Sequence, residues 1–211
     1  MSIINSGGFT YEAAGTQTPL ETYEWDNIWW EKCNTPDIPR VLHIGDSISC
    51  GLRYLLNPLA EEKILFDNFG TSKALDNQFF IPALKVYQSQ QMHCNAVMFN
   101  NGLHGFHLDD ETEYKDCYEK MILELKTLYP DIPLILLLTT FVSDEKENAR
   151  VILRNKAVTV LAEKYNLPVI DMYSMAQENA EHLIDGVHFN NQGYENLACG
   201  IIKELNSILK K

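Results

Sequence analysis

Two hydrophobic rhythms alternate along this chain. Residues 40–44 form a short apolar run closed by Gly45, and residues 48–56 then carry Leu52, Leu55 and Leu56 on one side of a predicted helix. Residues 64–66 read as a second strand, followed by the polar stretch Asn68 to Gly70. A helix is expected over 74–88, started or kinked by Pro82. Residues 96–100 (AVMFN) are a third strand. Over 110–129, Tyr114, Cys117, Tyr118, Met121, Ile122, Leu125 and Leu128 fall on one helical stripe. Residues 134–139 (LILLLT) are apolar without interruption, the mark of a strand buried on both faces. Helix follows over 147–165, a short strand over 168–171, and a last helix from Asn191, read as its N-cap, to the C-terminus.

Five strands interleaved with helices imply a five-stranded parallel sheet covered on both faces. Such sheets carry their sites at the carboxyl ends of the strands. Attention therefore falls on the segments just after Ile44, Phe66, Phe99, Thr139 and Asp171. Residues 1–36 do not share the rhythm. They are rich in Gly, Thr and Glu and end in the aromatic, acidic stretch that holds Trp25, Trp29 and Trp30. They read as an arm packed on the domain of residues 37–211, with Pro36 and Pro39 at the boundary. The tryptophans are expected to anchor that arm, ahead of serving as a sugar-stacking platform.

Composition narrows the functional classes. The chain has 211 residues, 45% of them hydrophobic, enough for a sizeable core. A net charge of −12 disfavours nucleic acid and anionic membranes as partners. The N-terminus has no basic start or long apolar run, and no stretch reaches the length of a membrane span, so a cytoplasmic location is expected. Five cysteines without a CxxC pair imply reduced thiols and no metal site, with Cys50, three residues after Ser47, the one nearest candidate chemistry. The oligomeric state is not legible.

Two short motifs at opposite ends of the chain carry the chemistry. In Gly45-Asp46-Ser47, a serine stands at a strand-to-helix turn, where first-turn amides point into the same crevice. By itself the serine reads equally as a helix cap. In Asp185-Gly186-Val187-His188, a histidine can take the serine proton, and an aspartate three residues earlier can orient the imidazole. Gly70 and Asn101 follow the second and third strands and can supply donors to an oxyanion, by a backbone N–H and a side-chain amide respectively.

Ser47, Gly70, Asn101 and His188, in that order, resemble the four signature blocks of the SGNH (GDSL) esterases and lipases over residues 40–200. The resemblance implies a three-layer α/β/α sandwich, flavodoxin-like in layout, with Ser47 as nucleophile, His188 as base, Asp185 as its orienter, and an oxyanion hole from Ser47, Gly70 and Asn101. The third block departs from the usual G-x-N-D, reading Asn100-Asn101-Gly102-Leu103-His104, so Asn100 can stand in for Asn101. The candidate substrate contacts are Asp46, Asn100, His104 and Thr140, with His107 flanking the same loop and read as a polar loop residue.

The implied activity is hydrolysis of carboxylic esters, without cofactor. Polar motif loops favour short-chain acyl esters of small molecules or glycans, O-acetyl carbohydrate among them. The alternatives are a glycan binder with this fold that has lost catalysis and a lipase or thioesterase for longer chains. A nucleotide module built on the Gly45 turn is disfavoured, because an aspartate there repels phosphate.

Overall fold

A computed structural model of the chain describes residues 18–91, 93–108 and 110–210. Its elements, in chain order, are β1 (Asp26–Trp29), β2 (Arg40–Gly45), α1 (Ser47–Leu59), β3 (Leu65–Thr71), α2 (Phe80–Gln90), β4 (Ala96–Phe99), α3 (Glu111–Leu128), β5 (Leu134–Leu137), α4 (Glu145–Tyr165), β6 (Val169–Ile170), α5 (Met172–Gln177), a 3₁₀ turn (Ala180–His182) and α6 (Asn191–Leu209).

The sheet has six strands in the order β1-β3-β2-β4-β5-β6. The five expected strands are all present and all parallel. The sixth, β1, comes from the arm and pairs antiparallel with β3, Trp29 opposite Asn68 and Asp26 opposite Thr71. The five-stranded expectation missed it because β1 has no apolar alternation. An antiparallel edge strand buries little, and this one is held mainly by polar contacts. Lys73 Nζ donates to both Asp26 oxygens at 2.8 and 2.9 Å, and Arg53 donates to Asn27 Oδ1 at 2.6 Å. The Arg53 guanidinium also lies 4.6 Å above the Trp29 ring.

Alternating residues of each strand feed two cores. Leu42, Ile44, Phe69, Phe99 and Leu136 pack with Phe80, Tyr87, Tyr118 and Leu161 of α2, α3 and α4. Val41, Phe66, Met98, Ile135 and Ile170 pack with Leu52, Leu56, Leu197 and Ile201 of α1 and α6. Both faces of the sheet are thus covered, which is why its strands read as near-continuous apolar runs.

Boundary shifts have local causes. β3 runs on through Asp67 and Asn68, which are polar yet buried, because Arg40 donates to Asp67 from its Nε at 2.9 Å. β5 stops at Leu137 because Asn155 of α4 takes the Thr139 N–H at 2.7 Å and its carbonyl at 2.9 Å, closing that backbone to the ladder. α2 begins at Phe80, so Pro82 sits in the first turn, where a missing N–H costs nothing. The cap of α6 is Asn190, one residue before the expected Asn191; its Oδ1 accepts the Gly193 N–H at 3.0 Å.

The parallel strands run in the order second, first, third, fourth, fifth, so the direction of winding reverses between β2 and β4. That switch point opens a crevice at the carboxyl ends of those two strands, where Ser47 and Asn101 lie.

Candidate active site

Ser47 is the first residue of α1. Asp46 precedes it in extended conformation (φ −115°, ψ −150°) and caps the helix, its Oδ1 accepting the Ile48 N–H at 2.9 Å. The Ser47 N–H is one of the first-turn amides that no intrahelical acceptor can take, and it is available to a ligand. Asp46 is buried, and its Oδ1 is committed to this cap rather than to the substrate contact expected from sequence.

The loop before α6 delivers the base. Leu183 and Phe189 form an antiparallel bridge, and the Ile184 N–H donates to the His188 carbonyl at 2.8 Å. Phe189 is buried, so the adjacent imidazole is held at a fixed height. Gly186 turns the loop at φ +90°, a conformation that favours glycine, and a methyl there would overlap Ser143 Oγ. His188 Nε2 lies 2.7 Å from Ser47 Oγ. On the other side of the ring, Nδ1 lies 2.7 Å from Asp185 Oδ2. The other carboxylate oxygen, Oδ1, accepts the backbone N–H of His188 at 2.7 Å and of Val187 at 3.0 Å. These backbone and side-chain bonds from His188 outweigh desolvation and lower the Asp185 pKa to about 2.

The donor side differs from expectation. Register and the Ser72 N–H bond to Trp25 O at 3.1 Å fix the β1–β3 ladder so that Gly70 faces Asn27 of β1. Its amide is spent there and does not point at Ser47. What glycine provides at this position is close packing, since a methyl would overlap Cys50 Sγ. Asn100 is likewise committed: its Nδ2 donates to Leu137 O at 2.9 Å and to Thr139 Oγ1 at 3.0 Å, joining β4 to β5. Asn101 is the freer amide. One Nδ2 hydrogen goes to Lys73 O at 2.8 Å, and a second remains.

A cavity of about 240 Å³ opens beside Ser47 and His188. Its floor and walls include Leu103, Phe106, Val142, Val151 and Val187, more apolar than the motif loops suggest, and its rim carries Ser143, Asp144, Glu147 and Arg150. His104 lines it; Thr140 is 1% exposed and does not. His107 points away, 2.9 Å from Asp76. Cys50 packs under the site against Gly70 and Asn68, and burial raises its thiol pKa. The tryptophans are spread along the arm: Trp30 packs on Tyr87, Trp29 stacks on Arg53, and Trp25 meets His104 edge-on.

Sequence reading missed Arg154. This buried α4 side chain gathers the carbonyls of Gly102, His104, Gly105 and Leu108 at 2.7–3.1 Å, shaping the whole loop after β4. A buried arginine in mid-helix carries no motif of its own. The one available signal is an arginine interrupting an otherwise apolar helical face.

Solved structures share this arrangement of elements. A member of the lipolytic G-D-S-L family from Veillonella parvula matches 78% of the chain and 96% of its own length, with a TM-score of 0.61 and 19% identity. The chain has the SGNH hydrolase fold. The C-terminal catalytic domain of peptidoglycan O-acetyltransferase A from Streptococcus pneumoniae matches 82% of the chain and 96% of its own length, at TM-score 0.64 and 18% identity. Axe2, an acetylxylan esterase from Geobacillus stearothermophilus, matches 79% and 94%, at TM-score 0.55 and 16% identity. No family model and no curated protein matches the sequence.

Proposed function

We propose that this chain is a serine esterase that removes short acyl groups, acetyl foremost, from the hydroxyls of carbohydrates or similar polar alcohols. The observation that carries the proposal is the continuous hydrogen-bonded relay from Asp185 through His188 to Ser47, with both side-chain links at 2.7 Å.

In the proposed reaction His188 Nε2 accepts the Ser47 proton as Oγ attacks the ester carbonyl. Asp185, ionised and anchored by two backbone amides, holds the proton of the ring on Nδ1 and stabilises the imidazolium. The oxyanion is received by the Ser47 N–H and by the second Nδ2 hydrogen of Asn101. His188 then protonates the departing alcohol oxygen. Water, activated by the same imidazole, attacks the acyl-serine and regenerates Oγ–H.

Two features support the substrate class. The cavity, about 240 Å³, lies below the ~300–1,000 Å³ usual for drug-sized ligands, and its rim is polar, which suits one small hydroxylated unit. Axe2 and the pneumococcal domain, with the same fold, are an acetylxylan esterase and an O-acetyltransferase.

The test combines a fluorophosphonate probe with an ester series. Labelling that disappears in Ser47→Ala, and 4-nitrophenyl acetate cleaved at least ~10-fold faster than the decanoate, are the expected results. A folded protein that neither labels nor cleaves any ester is a binder, and a preference for the decanoate makes it a lipase.

A further inference from the structure

The cavity beside Ser47 contains a second imidazole, and the N-terminal arm sets a carboxylate against it. Glu21 Oε1 accepts the Gly105 N–H at 2.8 Å and stands 3.6 Å from His104 Nδ1, at ion-pair distance. The Trp25 ring meets the imidazole edge-on, centroids 6.2 Å apart. From α4, Arg154 Nη1 donates to the His104 carbonyl at 2.7 Å. The ring is therefore held at its backbone, on one edge and at one nitrogen, while it lines the cavity that holds Ser47 and His188.

We propose that His104 is a specificity-determining residue that presents Nε2 to a hydroxyl on the alcohol portion of the substrate, and that Glu21 is its positioning residue. The arm is then a working part of the site and not only a cover. This rests on the esterase reading above.

The chemistry follows from the two ring nitrogens. A neutral ring with its proton on Nδ1, the nitrogen nearest Glu21, offers Nε2 as an acceptor; a protonated ring offers Nε2–H as a donor. A polyol satisfies both forms, whereas an alkyl alcohol leaves Nε2 desolvated and unpaired. Sites built to pair a substrate hydroxyl discriminate strongly against analogues that lack it.

The charged groups around the ring lean one way. Burial opposes protonation of His104, but Glu21, together with Asp46 and Glu24, more than offsets it and raises the pKa. Contact with His104 in turn holds Glu21 below the usual carboxylate range. Across the cavity stand Arg150, paired with Glu147 at 2.6 Å, Asp185, paired with His188, and Asp144, which caps α4. His107, which also faces Glu21, is paired with Asp76.

The experiment compares wild type, Glu21→Gln, His104→Gln and the double variant on a mono-O-acetyl methyl xylopyranoside, which keeps free ring hydroxyls on the alcohol portion, with NMR titration of the His104 ring. A Gln at 21 keeps an oxygen for the Gly105 N–H but removes the charge. In His104→Gln, KM for the sugar ester should rise about 5- to 10-fold, the effect of one lost hydrogen bond, with kcat changed less than ~2-fold. Glu21→Gln should raise KM about 3-fold, and the double variant should match His104→Gln alone, because Glu21 acts through that ring. The His104 titration midpoint should fall in Glu21→Gln. Additive effects, an unchanged KM in His104→Gln or an unmoved midpoint overturns the proposal. If Glu21→Gln does not fold, the His104→Gln KM decides alone. A wild-type protein inactive on every ester sinks the esterase reading instead, while the NMR comparison still reports whether Glu21 acts on the ring.

Discussion

His188 Nε2 stands 2.7 Å from Ser47 Oγ across 141 residues of chain. Neither residue is deeply buried, and each sits on its own rigid support, the first turn of α1 and the bridge between Leu183 and Phe189. Replacing Ser47 with alanine should reduce kcat/KM by about 10³-fold or more while leaving the melting temperature within a few degrees. Side-by-side steady-state kinetics and thermal unfolding check this. Retained turnover would exclude Ser47 as the nucleophile.

Asp185 makes a prediction that needs no substrate. Bonds from His188 and Val187 lower its pKa from the ordinary aspartate value of 3.8 to about 2, so the ionised form favours the folded loop. That contribution is fully present above about pH 4 and fades as pH falls through about 2. Carboxyl-carbon NMR should therefore place the Asp185 midpoint near pH 2. A midpoint at 3.8 or higher would mean that the bonds from Val187 and His188 are not formed in solution.

The two asparagines of the third motif should separate cleanly. Asn101→Ala removes a proposed oxyanion donor, and kcat should fall about 10²- to 10³-fold with KM little changed. Asn100→Ala leaves Leu137 O and Thr139 Oγ1 without their donor, and should appear as a stability loss of about 1–3 kcal/mol. Denaturant melts together with kinetics distinguish the two; the reverse pattern would make Asn100 the donor.

Gly70 should matter for packing and not for chemistry. Gly70→Ala crowds Cys50 Sγ and should cost about 1–3 kcal/mol. Adding Cys50→Ala vacates the clash and should recover part of the loss. A large drop in kcat per folded molecule in Gly70→Ala, not relieved by the second change, would return Gly70 to the oxyanion hole.

Arg154→Met should be the most damaging of these substitutions. It leaves four carbonyls of the loop after β4 without their shared donor, at about 3–5 kcal/mol, roughly 6–20 °C in melting temperature for a domain of this size. Differential scanning calorimetry checks it. A loss under 1 kcal/mol would show that water can replace the guanidinium.

Local signals carried the parallel sheet and the relay. Each of the five parallel strands is a short apolar segment between helical stripes, a pattern set by burial on both faces, and so visible in residues 40–44 or 134–137 without coordinates. The hydrogen-bonded series Asp185–His188–Ser47 was legible because the proposed roles of nucleophile, base and orienter restrict residue type, and Asp185 reaches His188 within one turn of the same loop. β1 was not legible, because Asp26, Asn27 and Trp29 are held by polar partners that lie far away in sequence. Arg154 was invisible for the same reason: its four acceptors are carbonyls, which carry no residue identity.

Residue type and order alone determined the layer architecture, the places where strands give way to sites, and which side chains can exchange a proton. Tertiary structure alone decided which amides are free to serve. Gly70 and Asn100 have the right chemistry at nearly the right positions, but ladder register and a neighbouring strand consume their hydrogens. A donor can be read from sequence; whether it is already spent depends on partners brought together only by folding.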